Sequence, residues 1–572
     1  MSKRSYWDRL QRERLSRRRM LGVMGAGAAG LAVAAACGGG DDEDGEETPG
    51  AQDNATPQPG GTLLTGTTVT PTFGLDPHTD VALGLVIFPR MYGFLLHEDP
   101  RDGTIQLDHA EAQPEQTDTT YVIKITPGIQ YQEGAQVPAE LPPLPAGRTV
   151  TSEDVKASWD RYVANPLVTG TKTFFTDFVE SIETPDELTV RINLTQPYVY
   201  AAETIGGILS GAIIPVEHTD VATVPNLNNG GVGSGPYMIQ RASLDSEIEV
   251  VRNPNYFRTP LPYLDGRVWR IIRDASLLRA AFVGQEVDAY APADKLEADE
   301  VEGQTQGGYE VIVERSPSLA YVSFSMNVEQ APFTDPRVRE AISLAIDRDK
   351  LIENITFGDG EILGPINHHL RDGFWSLPTA EIETAYGMDL TREERLQRAQ
   401  ELLSAANAGT DEIVVKFPTL TNIQPGAESV QQDLQEIGLN IRLEPQELAV
   451  WFVGYRQGDF QATYQPHLPY EGPNIPSRFF YTKGVSGELN FHHYSNPEVD
   501  TLIERSWGEF DEATRQATLQ DMQRLVLADH GPMLNLYTGV TRGAYWSYVH
   551  GLQLELPGSM QQYVYDEFMT RA

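Results

Sequence analysis

The side chains able to do chemistry are few in kind. The chain of 572 residues has one cysteine, Cys37, eleven histidines and 81 acidic side chains. A single thiol excludes an intrachain disulfide and a cysteine-based zinc cluster. The histidines include two adjacent pairs, His368-His369 and His492-His493. Neighbours point apart on a strand and do not face each other on a helix, so neither pair is a ready chelate, and loop or surface positions are expected. A serine hydrolase of the nucleophile-elbow type needs G-x-S-x-G. The nearest approach, Gly231-Val232-Gly233-Ser234-Gly235, is one position out. No H-E-x-x-H and no G-x-x-x-x-G-K-[ST] occurs, so neither a zincin site nor a P-loop is expected. Gly25-Ala26-Gly27-Ala28-Ala29-Gly30 fits G-x-G-x-x-G. It follows no strand, however, and cannot put a pyrophosphate on a helix N-terminus.

Cys37 gains meaning from what precedes it. Residues 1–36 carry eight basic and two acidic side chains, a charge of +6. The net charge is −38, so everything from Cys37 onward carries −44, a poor surface for nucleic acid. Met20 to Ala36 are seventeen residues made only of Met, Leu, Val, Ala and Gly. A basic segment, an apolar run and small residues at its end read as an export signal. Ser16, Arg17, Arg18 and Arg19, followed by Met20-Leu21, resemble the twin-arginine motif. Ala34-Ala35-Ala36-Cys37 resembles a lipobox without its usual leucine, which makes Cys37 the expected lipidation site. Seventeen Gly/Ala-rich residues are short for a span of about 20. Residues 38–60 hold seven acids and no large apolar side chain, and read as an acidic flexible tether.

The body that follows has 40% hydrophobic and 22% charged residues overall, ordinary for a globular chain, and enough length for several lobes. Tyr121 to Ile125 alternate at period two and end in Pro127-Gly128, a strand and its turn. Thr151-Ser152-Glu153-Asp154 reads as a helix start, with Val155, Trp159 and Tyr162 on one face. Ile182 to Ile192 read as strand, tight turn, strand. From Asn327 to Ile352, Asp335 caps a helix whose first turn holds Pro336, with Val338, Ala341, Ile342, Ala345 and Ile346 as its apolar stripe.

These segments, in this order, resemble the family-5 extracellular solute-binding proteins of ABC importers, the dipeptide-, oligopeptide- and nickel-binding relatives. The most specific pieces are TSEDVKASW at Thr151, GVGSGPY at Gly231 and PFTDPRVREAISLAIDRDKLI at Pro332, and the likeness runs from about Gly60 to the C-terminus. The resemblance implies an α/β periplasmic-binding-protein-like class II fold, bilobal with an extra inserted domain. Domain I would comprise 61–99, 213–318 and 531–572, domain II 100–212, and domain III 319–530. It implies an extracytoplasmic lipoprotein, monomeric and without a cofactor, that holds a peptide-like small solute between two lobes for a membrane permease. An oligosaccharide or a metal chelate is the alternative ligand within the family, and a lipid-anchored hydrolase is the rival from another class.

In peptide-binding relatives an aspartate in a Trp-x-x-Asp-Tyr-x-Asp-Pro-like segment pairs with the peptide ammonium. The stretch Tyr464-Gln465-Pro466-His467-Leu468-Pro469-Tyr470-Glu471-Gly472-Pro473 stands there. Pro466 or His467 is near the tryptophan's place, Gly472 takes that of the aspartate before proline, and Glu471 offers a carboxylate beside it. Phe73, Tyr92, Trp375, Trp451, Tyr464 and Tyr470 are candidate stacking surfaces for a sugar or peptide. Arg478 is a candidate carboxylate fork. The Pro-rich stretch Val137 to Ala146 is expected to be a surface loop away from the ligand.

Overall fold

Alternation at Tyr121–Ile125 becomes the strand Thr120–Lys124, with Tyr121 and Ile123 buried on its inner face. It lies in a four-stranded sheet between Glu115–Gln116 and Thr189–Leu194, with Val179–Asp186 outermost. The last two strands form the hairpin read from Ile182 to Ile192. Helix Ser152–Ala164 packs on this sheet with Val155, Trp159 and Tyr162 buried, as its spacing predicts. The Thr151 N–H donates to Asp154 Oδ2 at 2.8 Å and secures the first turn. The computed structural model describes residues 55–71, 74–78, 84–98, 105–133, 141–165, 172–220, 227–367, 369, 373–408, 411–420, 423–467, 472–482, 489–552 and 567–570. They belong to one body spanning Ala55–Ala572. The leader, with Ser16, Arg17, Arg18, Arg19 and Cys37, and the expected site residues Phe73, Tyr470 and Glu471 lie outside the described residues.

The main sheet has eleven strands. Its order is Asn440–Gln446, Glu412–Pro418, Ala462–His467, Tyr309–Met326, Met533–Trp546, Ala289–Tyr290, Thr62–Thr67, Gly266–Ile271, Glu247–Arg252 and Tyr237–Ser243, with Thr305–Gln306 hairpinned onto Tyr309. Two strands of 18 and 14 residues, Tyr309–Met326 and Met533–Trp546, form its centre and pair antiparallel from Val311↔Trp546 to Ser325↔Met533. Their register slips between Pro317 and Tyr321 and again between Val322 and Ser323. The first slip leaves carbonyls off the ladder, and side chains take them up. Thr538 Oγ1 lies 2.8 Å from both Ser318 O and Ala320 O. Asn367 Nδ2 donates to Leu319 O at 3.0 Å.

The helix read across Asn327–Ile352 is two helices, Pro336–Ala345 and Arg348–Ile355. Asp335 caps the first by accepting from Arg337 N at 2.9 Å. Ile346 turns extended, and Asp347 starts again by accepting from Lys350 N. The break is stabilised from outside: Asp433 accepts from Asp347 N at 2.9 Å and from Lys350 Nζ at 2.9 Å. The stripe Val338, Ala341, Ile342 and Ala345 is buried with Phe324 and Tyr464 of the sheet and Val430 and Leu434 of helix Ile423–Glu436.

The C-terminal segment is tied in by charge. Glu567, 0% exposed, accepts from Arg267 NH1 at 3.0 Å and lies 3.6 Å from Arg90 NH2. Both guanidinium groups lie over the Trp269 ring, at 5.2 and 5.8 Å. Removing one member of such a group strands buried charge. Glu567→Gln is expected to cost about 3–5 kcal/mol of unfolding free energy in urea titrations. A loss below about 1 kcal/mol, the level of an exposed pair, would show that the C-terminal segment is held by something else.

Candidate ligand-binding site

Antiparallel pairing places Tyr321 opposite His467, Ser323 opposite Gln465 and Ser325 opposite Thr463. Side chains alternate across a strand, so these six share one face, while Phe324, Met326, Ala462 and Tyr464 point into the helical core behind. One face is therefore an apolar floor and the other a row of hydroxyl, amide and imidazole groups. Burial of such groups is tolerated only with hydrogen bonds.

Helix Leu448–Arg456 supplies part of that satisfaction. Its Trp451 and Tyr455, four residues apart, stack at 5.2 Å with an angle of 5° and face the polar row. Trp451 Nε1 donates to Thr463 Oγ1 at 3.1 Å. Gln465 Nε2 lies 2.9 Å from Tyr455 OH, 3.1 Å from Ser325 Oγ and 2.9 Å from His467 Nε2. His467 Nε2 is also 2.8 Å from Ser323 Oγ. Gln465 Nε2 has two hydrogens to share among these partners, and burial keeps the His467 imidazole neutral. Tyr321 stacks on His467 at 4.5 Å, Phe479 meets it edge-on at 5.1 Å, and His492 lies beyond Phe479 at 6.2 Å.

Three buried polar side chains here keep unmet capacity: Gln465 Oε1, Asn474 Oδ1 and both ring nitrogens of His492. His492 is 0% exposed. Burial, with His492 as a neighbouring charge, pushes the His467 imidazole down to about 3. Burial, with His493 as the neighbour, does the same to His492, to about 3. The wall is thus uncharged at neutral pH and offers acceptors and donors in an apolar, aromatic setting. At its edge, Asn474 Nδ2 donates to Tyr198 OH at 2.8 Å. Glu203, from the short helix Ala201–Ile205, rests against Gly472, where a Cβ would fall 2.0 Å from Glu203 Oε2. A side chain at 472 would have to displace this carboxylate.

The residues expected from sequence divide among different places. His467 and Trp451 meet in the polar cluster. Tyr464 lies on the opposite face of its strand, with its hydroxyl 3.1 Å from Tyr537 OH. Arg478 is 1% exposed and lies near Tyr198, whose hydroxyl is pushed up by burial, an effect that Arg478 only partly offsets. Tyr92 is core, its hydroxyl accepting from Gly231 N at 2.9 Å. Trp375 is buried beside Arg515, whose guanidinium sits 5.1 Å from the ring. Of the paired histidines, His492 is buried in its loop, and His493 faces Glu329 at 3.5 Å. Tyr321, Ser323, Ser325, Gln465, Tyr455, Asn474 and Glu203 were not singled out from sequence, and His492 was weighed only as half of an adjacent pair. The signal was present in Tyr321-Val322-Ser323-Phe324-Ser325-Met326, where polar residues hold every second place in an apolar strand.

The profile of the bacterial extracellular solute-binding proteins, family 5, matches residues 104–486. A probable D,D-dipeptide-binding periplasmic protein of Escherichia coli K12, DdpA, is 26% identical over 399 residues, covering 67% of this chain and 72% of its own. A glutathione-binding protein of Pectobacterium atrosepticum, GsiB, is 23% identical over 428 residues, covering 72% and 76%. Among solved structures, DppA of Helicobacter pylori in complex with the peptide STSA superposes with a TM-score of 0.74 at 19% identity, over 90% of this chain and 99% of that one. AgaA of A. tumefaciens R10 in complex with agropinic acid gives 0.74 at 21% identity and the same coverage. The fold is accordingly the class II α/β fold of periplasmic binding proteins, bilobal with an extra inserted domain.

The two imidazoles fix a pH dependence. Their folded-state values lie below the ordinary 6.5, so the unfolded chain binds more protons between about pH 6.5 and 3. Their stabilising contribution is complete above the upper limit and falls with pH below it, by up to about 1.4 kcal/mol per pH unit for each histidine. Replacing His492 by Phe is expected to flatten the acid limb of a stability-versus-pH curve by one such slope. An unchanged limb would mean that His492 is hydrated rather than buried neutral.

Proposed function

Because the chain belongs to the family-5 bacterial extracellular solute-binding proteins, we propose that it captures a peptide-like small solute between two lobes and presents it to the permease of an ABC importer. The observation that carries this reading is the uncharged polar wall of Ser323, Gln465, His467 and His492, with buried groups whose hydrogen-bonding capacity the protein leaves unused. A peptide backbone alternates N–H and C=O groups and supplies both kinds of partner along an extended edge. The names of the relatives, D,D-dipeptide-binding and glutathione-binding, point to the same ligand class.

In this reading domain I comprises 61–99, 213–318 and 531–572, domain II is the insertion 100–212, and domain III is 319–530. The 318/319 boundary falls within the slip of the long strand pair, between Pro317 and Tyr321, and 530/531 falls just before the strand Met533–Trp546. Two continuous strands crossing between lobes allow a bending motion with few backbone bonds broken. A ligand that touches both lobes when closed and one when open draws the pair together. Glu471 supplies the countercharge for a peptide ammonium. Tyr470, Phe73 and Arg478 border the same ligand. Export follows the Ser16–Arg19 signal, and Cys37 carries the lipid that holds the monomer at the outer face of the cytoplasmic membrane or in the periplasm. No cofactor or catalytic step is needed.

Thermal-shift titration distinguishes the ligand classes. A ligand at 100-fold over its Kd adds about 2.7 kcal/mol of stability. Di- to oligopeptides are expected to raise the unfolding midpoint while cellobiose and nickel chelates leave it in place. A shift with cellobiose alone would replace the peptide reading by the oligosaccharide one. His467→Ala is expected to weaken peptide binding about tenfold, ~1.4 kcal/mol, without loss of secondary structure. Unchanged affinity would remove this wall from the site. Separately, Cys37→Ser is expected to move the protein from the membrane to the soluble fraction, and its retention there would exclude lipid anchoring through that thiol.

A further inference from the structure

Beside the polar wall, two stretches of chain far apart in sequence meet directly. Val199 N donates to Trp507 O at 2.8 Å. Trp507 is the last residue of helix Pro497–Trp507, so its carbonyl has no partner within that helix. Val199 supplies one from the loop that precedes helix Ala201–Ile205. Next to this bond, Asn474 Nδ2 donates to Tyr198 OH at 2.8 Å. In the proposed division, Tyr198 and Val199 lie in domain II, and Asn474 and Trp507 in domain III, across the cleft.

Aromatic rings fill the seam. Trp507 meets Phe178 edge-on at 4.9 Å and Tyr198 at 6.4 Å, and Phe178 and Tyr198 lie 4.1 Å apart. All three are buried. Phe178 ends a single π-helical turn, Phe174–Phe178, whose Phe174 stacks on Tyr198 at 5.3 Å. Such turns are rare and recur at functional sites. Farther along, Arg515 of helix Glu512–Ala528 sits 5.7 Å from the Tyr200 ring. A Cβ at Gly508 would touch Pro197 Cβ at 3.9 Å, so loop and helix end are in contact. These groups meet one another without a third molecule between them. The residues that bond across the seam, Tyr198, Val199, Asn474 and Trp507, all lie outside the strands, so the seam can part with both sheets intact.

We propose that this seam is a clasp that holds the two lobes shut in the absence of solute, and that it parts in sub-global openings in which Trp507 leaves Phe178 and Tyr198. The proposal rests on the assignment of 100–212 and 319–530 to different lobes. Closure is then favoured by the chain's own aromatic burial, and solute adds to a state that is already populated. Because only the open minority admits solute, the clasp also lowers the apparent affinity by the fraction of molecules that are open.

The test is native-state hydrogen exchange in urea on the full chain without solute, read together with small-angle X-ray scattering. The Val199 amide is expected to be protected about 100-fold or more, and to exchange through an opening with weaker urea dependence than the Phe324 amide of the central sheet. Trp507→Ala is expected to speed Val199 exchange at least tenfold, leave Phe324 exchange unchanged and enlarge the radius of gyration. Asn474→Ala removes only the Tyr198 bond and is expected to speed Val199 exchange severalfold with an unchanged circular dichroism spectrum. The clasp is overturned if Val199 exchanges as a free amide in the parent chain. It is overturned equally if Val199 and Phe324 share one urea dependence, which would make the seam part of a single core, or if Asn474→Ala leaves Val199 exchange unchanged. Faster Val199 exchange in Trp507→Ala at a constant radius of gyration would mean local fraying, and would overturn it too. Trialanine is expected to slow Val199 exchange further, and an absent response to trialanine counts against the peptide reading and not against the clasp.

Discussion

Antiparallel pairing of Tyr309–Met326 with Met533–Trp546 is the constraint on which the rest of the body depends. One end of the pair leads through Ala289–Tyr290 into the strands around Thr62–Thr67, and the other end carries Ala462–His467. A pair this long could be a rigid ribbon, yet it slips between Pro317 and Tyr321. The groups freed by the slip are taken up by Thr538 and Asn367, so the irregularity is a satisfied structure and not a defect. Ladder bonds fix the direction of both halves on either side of the slip.

The same strand pair sorts its chemistry by parity. Phe324, Met326 and Tyr464 anchor one face to helices, and Ser323, Ser325, Gln465 and His467 occupy the other. The polar face is rigid because its first partners are internal: Trp451 holds Thr463, and Tyr455 holds Gln465. What remains open is a small set of acceptor and ring-nitrogen positions already oriented and already dehydrated. Preorganisation of this kind reduces the ordering that a ligand must otherwise bring about on binding.

Much of the fold was legible because local signals and burial agree. The Thr151 start, the hairpin of Val179–Asp186 with Thr189–Leu194 and the apolar stripe from Val338 all stand where periodicity put them. The break at Asp347 was not legible, since it depends on Asp433, 86 residues away. The polar wall was only partly legible. His467 and Trp451 were marked, but Gln465, Ser323 and Ser325 gain their role from register, which no spacing within one strand discloses. Tyr464 shows the reverse error that aromatic type invites: being one residue from Gln465 puts it on the other face, against Tyr537.

The seating of Glu567 between Arg90 and Arg267 has a consequence for the order of events during synthesis. Thr62–Thr67, among the first elements made, reaches the long strand pair only through Ala289–Tyr290, which itself pairs with Ala544 and Tyr545. Both buried arginines wait longer still, for a carboxylate made after the last strand of the sheet. Contacts of such sequence separation form slowly and late. A nascent chain therefore keeps its central sheet open until Met533–Trp546 has emerged, and leaves two buried guanidinium groups without this carboxylate until Glu567 follows.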